Sequence, residues 1–227
     1  MTRRRWYRAE WRASVNDIAR RLKAMGFQDG GFDGFVLEQT RENYISGSYY
    51  ERLSRVERIV DPFGRESVFE RLEYRRSEFL IADAYYGLEI VNPNKSVHRL
   101  ISRLIEVADY RLSLHPASVD PLAWAIACSE LVGERYKIET ILLADVALEG
   151  NATATISVKG GEDALAASRS VLNGRSGKTE KVQIRFAGRL GRALFNANGM
   201  VVTSADPSGP IMASARSALL SGAGNGM

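Results

Sequence analysis

The sequence predicts an α+β protein: two mainly antiparallel sheets with packed helices, in the order β-α-β-β-β-β-α-α and then β-β-α-β-β-β-α. Three observations carry this. Apolar residues alternate at period two in segments spread along the chain. Helical periodicity is confined to short stretches with capping residues. Turn-forming clusters join successive strands by short links, which favours meanders. At 227 residues, 45% hydrophobic and 26% charged, the chain can bury a sizeable core without disulfides or metal.

The elements follow in order. Residues 6–13 alternate and predict a half-buried strand, with Tyr7, Ala9, Trp11 and Ala13 on one face. Ser14 then caps a helix, with Asp17 completing a capping box. Val15, Ile18, Leu22 and Met25 form its apolar stripe, Gly26 supplies a left-handed C-cap, and Arg20, Arg21 and Lys23 face water. Four strands are expected at about 34–41, 43–60, 66–76 and 78–91, with Asp61-Pro62-Phe63-Gly64 turning between two of them. In the last, Asp83 interrupts an apolar face. Val97, Leu100, Ile101, Leu104, Ile105 and Ala108 make the strongest amphipathic stripe, with Ser96 as cap. Residues 112–119 read as a loop. Asp120, Pro121 and Gly133 bound a helix that is apolar on all sides and therefore buried, with Trp124 and Cys128 inside.

The C-terminal half continues with a strand over 135–149, in which Tyr136, Ile138, Leu142, Ala144, Val146 and Leu148 share a face. A strand at 152–159 and a helix at 162–172 follow. Val182, Ile184 and Phe186 mark the next strand, and 190–197 and 200–204 pair around Asn198-Gly199 in a type I′ hairpin. A helix spans about 210–220. The implied organisation is an N-terminal α+β unit (1–112), a connecting buried helix (113–134), a C-terminal α+β unit (135–220) and a disordered tail (221–227).

Composition excludes several chemistries. The single Cys128 permits neither an intramolecular disulfide nor a cysteine zinc site, and His98 and His115 have no nucleophile at a recognisable spacing. No apolar h-region follows the basic start and no stretch reaches 18 apolar residues, so a cytoplasmic protein that neither enters nor spans a membrane is expected. LNGRSGKTE (172–180) is not a phosphate loop: Leu172 stands where the first glycine is required, and the order is helix–loop–strand. The acids of GGED (160–163) sit in a helix first turn, where the dipole favours them. No lysine has an acid two residues before it, and no Gly-x-Ser-x-Gly elbow occurs. Glu66, Glu70, Glu73 and Glu78, interspersed with Arg65, Arg71, Arg75 and Arg76, read as cross-strand ion pairs, since strand parity puts Glu73 opposite in face to Glu66 and Glu70. No catalytic residue, metal ligand or cofactor is expected.

Charge carries the remaining signal. Lys and Arg total 31 against 27 acids, a net +4. Residues 1–25 hold eight cations against Glu10 and Asp17, a net +6, so the rest sums to −2. Guanidinium groups fit phosphates, and aromatics stack on bases. The candidate phosphate-binding residues are Arg3, Arg4, Arg5, Arg8, Arg12 and Arg20; Arg75 and Arg76 beside Tyr74; and Lys178, Lys181, Arg185, Arg189 and Arg192, where Gly188 and Gly191 let backbone approach an anion. Nothing resembles a base-reading helix. The expected function is a non-catalytic nucleic-acid-binding or scaffolding subunit of a bacterial multi-protein assembly, of the kind used in antiviral defence. The alternatives are a protein-interaction or homo-oligomerisation module without nucleic-acid contact, and an enzyme with an unrecognised carboxylate site.

Overall fold

The computed structural model describes residues 1–82, 86–94, 96–161, 164–206 and 209–221. The protein is α+β, with a large antiparallel sheet and five α-helices among the described residues. In chain order the elements are β1 (Thr2–Trp11), α1 (Val15–Ala24), β2 (Asp33–Thr40), β3 (Tyr44–Val60), β4 (Glu66–Ala82), β5 (Gly87–Val91), α2 (His98–Val107), β6 (Leu112–Pro116), α3 (Pro121–Val132), β7 (Tyr136–Ala147), β8 (Thr153–Lys159), α4 (Ala164–Leu172), β9 (Lys178–Phe186), β10 (Arg192–Asn196), β11 (Met200–Thr203) and α5 (Pro210–Leu220). Two compact units form: Met1–Ala9, Tyr85–Asn92 and Leu114–Met227 in the first, Glu10–Ala84 and Pro93–Ser113 in the second.

The first unit carries an antiparallel ladder ordered β5-β1-β11-β10-β9-β7-β8. This corrects the expectation of two separate sheets, one per half of the chain. Arg4 of β1 pairs with Val91 on one side and Val201 on the other, so an N-terminal strand sits within the ladder of the C-terminal strands. Trp6, Trp124, Val182, Ile184, Phe195, Ala164 and Ile211 belong to one buried cluster, which places α3, α4 and α5 over the same face. Trp124 sits edge-on to Trp6 (5.7 Å) and Phe195 (5.2 Å), and its indole donates to the Ala215 carbonyl at 2.8 Å. The caps of α3 are as expected: Asp120 accepts from the Leu122 and Ala123 amides, and Gly133 is left-handed.

In the second unit β2, β3 and β4 pair antiparallel, and α1 packs against β2, β3 and α2. Ser14 caps α1, accepting from the Asp17 amide at 3.1 Å. Leu100 and Leu104 of α2 are fully buried. Gly34 is required where β2 passes the chain after α1, because a Cβ there would lie 2.5 Å from the Phe27 Cα. The β3–β4 ribbon runs through 17 residue pairs, from Tyr44↔Ala82 to Val60↔Glu66, and turns at Asp61–Gly64, where Asp61 Oδ1 accepts from the Phe63 and Arg65 amides.

Several local expectations are corrected. β1 starts at Thr2, and Trp6 and Tyr7 are both buried, so its middle is covered on both faces. Met25, not Gly26, is the C-cap of α1, and Gly26 instead bridges to Phe35. Arg21 is half-buried, bonded to Asp109 (2.6 Å) and the Val107 carbonyl. β4 runs on to Ala82 where a break near 77 was expected, because every residue to that point has a partner on β3. Asp83, Glu162, Asp163 and the tail after Ser221 lie outside the described residues. Val97 precedes α2 without a side-chain cap, so Ser96 does not serve. Residues 112–116 form a strand rather than loop. In β7 the buried set is Ile138, Ile141, Leu143 and Val146, because register shifts beside Glu139 and before Val146 change the parity. The β10–β11 hairpin has a three-residue loop. Asn196 pairs with Met200, and only Gly199 takes a positive φ (71°), which fits a turn ending in a left-handed glycine rather than type I′.

Candidate nucleic-acid interface

Strand parity sorts the predicted basic residues of the first unit. Trp6, Val182 and Ile184 point to the helix-covered core, so their neighbours Arg3, Arg5, Lys181 and Arg185 point to the opposite face, which is open around Arg185 and Arg192 and covered around Tyr7, Leu88 and Ile90 beside Arg5. Two rows cross that face. Lys137, Arg185 and Arg192 lie directly opposite one another on β7, β9 and β10. Lys181, Asn196, Met200 and Arg5 lie in line across β9, β10, β11 and β1. Three strand spacings separate Lys181 from Arg5, roughly 14 Å.

Two carboxylates pair with these cations, Glu180 with Lys181 at 3.9 Å and Glu139 with the arginines. Glu139, at the β7 bulge, is mostly buried and accepts from Arg192 Nε (2.8 Å), Gln183 Nε2 (3.0 Å) and Arg185 Nε. The arginines it holds remain about half exposed, Arg185 at 45% and Arg192 at 53%, so further N–H groups face outward. A depression of about 290 Å³ is lined by Arg185, Arg192, Gly188, Gly191 and Ser204, and another of about 260 Å³ by Arg135, Tyr136, Lys137 and Arg185. Arg189, exposed, lies in the loop between β9 and β10. On β1, the Arg5 guanidinium stands 5.1 Å from the Tyr7 ring centroid, and its Nε is buried with no hydrogen-bond partner among the described residues. Burial pushes the Tyr7 phenol up from its ordinary value, an effect Arg5 partly offsets.

The other predicted residues are placed differently. Arg4 shares the Trp6 side of β1 and donates to the buried Glu89, which also accepts from the Trp6 indole (3.0 Å) and from Arg216 of α5 (2.7 Å). Arg3, Arg4 and Arg5 therefore do not form one patch. Arg8 is exposed on the Arg4 side of β1. Lys178 is 82% exposed beside Asp145 at 3.6 Å. Arg12 and Arg20 belong to the second unit, Arg20 bonded to Asp17 at 2.7 Å. There too, Arg75 faces Glu51 (3.6 Å), and Arg76 bonds Glu38 (2.9 Å) and approaches Glu78 (3.4 Å). The cross-strand pairs on the ribbon are Arg75–Glu51, Arg55–Glu73 (3.9 Å) and Arg71–Glu57 (3.8 Å), whereas Arg71–Glu73 (3.3 Å) and Arg76–Glu78 lie within β4 and Glu70 accepts from Ser54 instead, so the expected cross-strand pairing holds only in part.

Sequence reasoning missed two carboxylate-centred networks. One is Glu89 with Arg4, Trp6 and Arg216. The other, in the second unit, is Asp33, which accepts from Tyr49 (3.0 Å) and bidentately from Arg103 (3.1 and 2.7 Å), while Arg103 also donates to Glu106 (2.7 Å). Burial, then the bond to Asp33, push the Tyr49 phenol up; bonds to Asp33 and Glu106 raise Arg103. These networks tie β1 to α5 and β2 to α2. For Glu89 the signal is a charge inside the apolar strand GLEIV, whereas Asp33 lies in a glycine-rich turn segment that carries no such signal. Cys128 is buried, and that burial pushes its thiol up to about 12, far from a nucleophile's range. Among the described residues no cluster of three metal-ligating side chains forms, and no helix is long and apolar enough to cross a membrane. The sequence matches no protein family and no curated protein.

Proposed function

We propose that the chain is a non-catalytic nucleic-acid-binding subunit that holds the phosphate backbone on the open sheet face of its first unit. The observation that supports this most is the row Lys137–Arg185–Arg192. Like charges directly opposite on neighbouring strands cost stability. Among the described residues Glu139 pairs with two of these three cations, Arg185 and Arg192, while Lys137 donates to the Gly161 carbonyl at 2.9 Å. Bound phosphates would supply the missing negative charge. Lys181 extends the same face, and the Gly188–Gly191 loop gives backbone access beside it. Guanidinium and ammonium contacts to phosphate position a nucleic acid without reading its sequence. Binding is then sequence-independent and steeply salt-dependent.

Fluorescence anisotropy with labelled single-stranded DNA, duplex DNA and RNA at low salt tests this. Wild-type protein should bind, and Lys181→Glu with Arg192→Glu should abolish binding while circular dichroism stays unchanged. Arg20→Glu, on the exposed side of α1, should leave binding intact. Absence of binding to all three nucleic acids, or equal loss from Arg20→Glu, would refute the proposal.

A further inference from the structure

The distal half of the β3–β4 ribbon is unlike the rest of the chain. From Ser54↔Leu72 to Val60↔Glu66 nearly every residue is exposed. Val56 is 65% exposed, Ile59 55%, Val68 59% and Phe69 55%, values unusual for apolar side chains on a regular strand. Between Arg52 and Glu73 the ribbon carries five arginines and five acids, a net charge of zero. That balance gives phosphates nothing to hold and suits a protein surface.

The outer edge of β3 is also open. Among the described residues β2 pairs with β3 only as far as Glu51, and the last backbone bond on that side is Arg52 N–H to the Phe32 carbonyl, 2.7 Å. With period two, the N–H and C=O groups of Ser54, Val56 and Arg58 point the same way, off the sheet. An edge of this length without a proline is a template for another strand.

The sequence of this edge is complementary to itself when reversed about Val56. An antiparallel copy sets Val56 against Val56 of the second copy, Arg55 against its Glu57, Leu53 against its Ile59 and Ser54 against its Arg58. Each pair falls on one face, as strand parity requires. Charge meets opposite charge twice, leucine meets isoleucine twice, and about six backbone hydrogen bonds close. A two-fold interface needs such a self-complementary patch.

We infer that two copies of this chain associate through the outer edge of β3, antiparallel about Val56, forming a four-stranded sheet of two ribbons. This is independent of nucleic-acid binding, since it uses a neutral surface of the second unit.

Light scattering with size-exclusion chromatography should give wild-type protein twice the 25.1 kDa of one chain at high micromolar concentration. Val56→Lys, which opposes two ammonium groups at the axis, should give 25.1 kDa with an unchanged dichroism spectrum. Cross-linking then reads the register. Cys128 is buried and inert, so an introduced thiol reacts alone. With a short bis-maleimide, Val56→Cys should link two chains, because opposed Cα atoms lie about 5.5 Å apart. Val60→Cys should not, because its two copies are offset by about 27 Å. A wild-type mass of 25.1 kDa, a dimer that survives Val56→Lys, or equal linking at both positions would overturn the inference.

Discussion

Replacing Glu89 should cost the first unit more than any single ion pair on the surface. Its side chain is 3% exposed and takes donors from Arg4, Arg216 and the Trp6 indole. Glu89→Ala leaves two guanidinium groups facing each other without their shared carboxylate. Breaking a buried pair from one side costs about 3–5 kcal/mol. Arg4 and Arg216 are 17% and 23% exposed, so they reach some water, which places this part near the low end, about 3 kcal/mol. The orphaned indole N–H adds about 1 kcal/mol, bringing the total to about 4. Glu89→Gln should cost less, because an amide oxygen still accepts from Trp6. Urea unfolding followed by tryptophan fluorescence reads this unit, since Trp6 and Trp124 lie in its core. With a slope of about 2 kcal/mol/M, the midpoint should fall by about 2 M in the alanine variant. A loss below about 1 kcal/mol, the range of an exposed pair, would show that Glu89 does not organise this core.

Three further outcomes follow from the same packing. Leu104→Ala, at a fully buried position of α2, should cost about 2–5 kcal/mol in urea unfolding; a near-neutral result would mean the stripe is not core. Arg4→Glu should lower the unfolding midpoint, whereas Arg3→Glu on the exposed side of β1 should not; equal midpoints would contradict the parity assignment. Tyr49 has a phenol raised above its ordinary value of 10.0 in the fold, so the folded state keeps a proton that the unfolded chain loses. Its contribution is intact below pH 10 and fades as pH rises beyond that. Stability measured across this range should fall more steeply for wild type than for Tyr49→Phe, and parallel curves would refute the assignment.

Secondary structure was legible wherever local chemistry decides it. Ser14, Asp120 and Gly133 mark helix ends through bonds within a few residues, and Asp61–Gly64 folds its own turn. The element order emerged except for Leu112–Pro116, whose five residues carry no clear alternation. Strand pairing was not legible. Nothing local in residues 2–8 states that Val91 and Val201 flank Arg4, because those partners are chosen by tertiary packing. The same limit governs the site. Counting cations found Arg185 and Arg192 but separated neither Arg4 from Arg5 nor free arginines from those held by Glu139. Bulges hid the face of β7: the extra residue at Glu139 shifts the alternation, so Ile141 and Leu143 are buried where Leu142 was expected.

The salt dependence of DNA binding tests the central claim most directly. Each phosphate contact on duplex DNA contributes about 0.9 to the slope of log Kobs against log salt. If Lys181 and Arg192, both about half exposed, each hold a phosphate from the open face, the double variant Lys181→Gln with Arg192→Gln should flatten the slope by about 2 relative to wild type. The change should be the same for unrelated sequences. An unchanged slope, or selectivity for one sequence that survives at high salt, would contradict phosphate binding on this face.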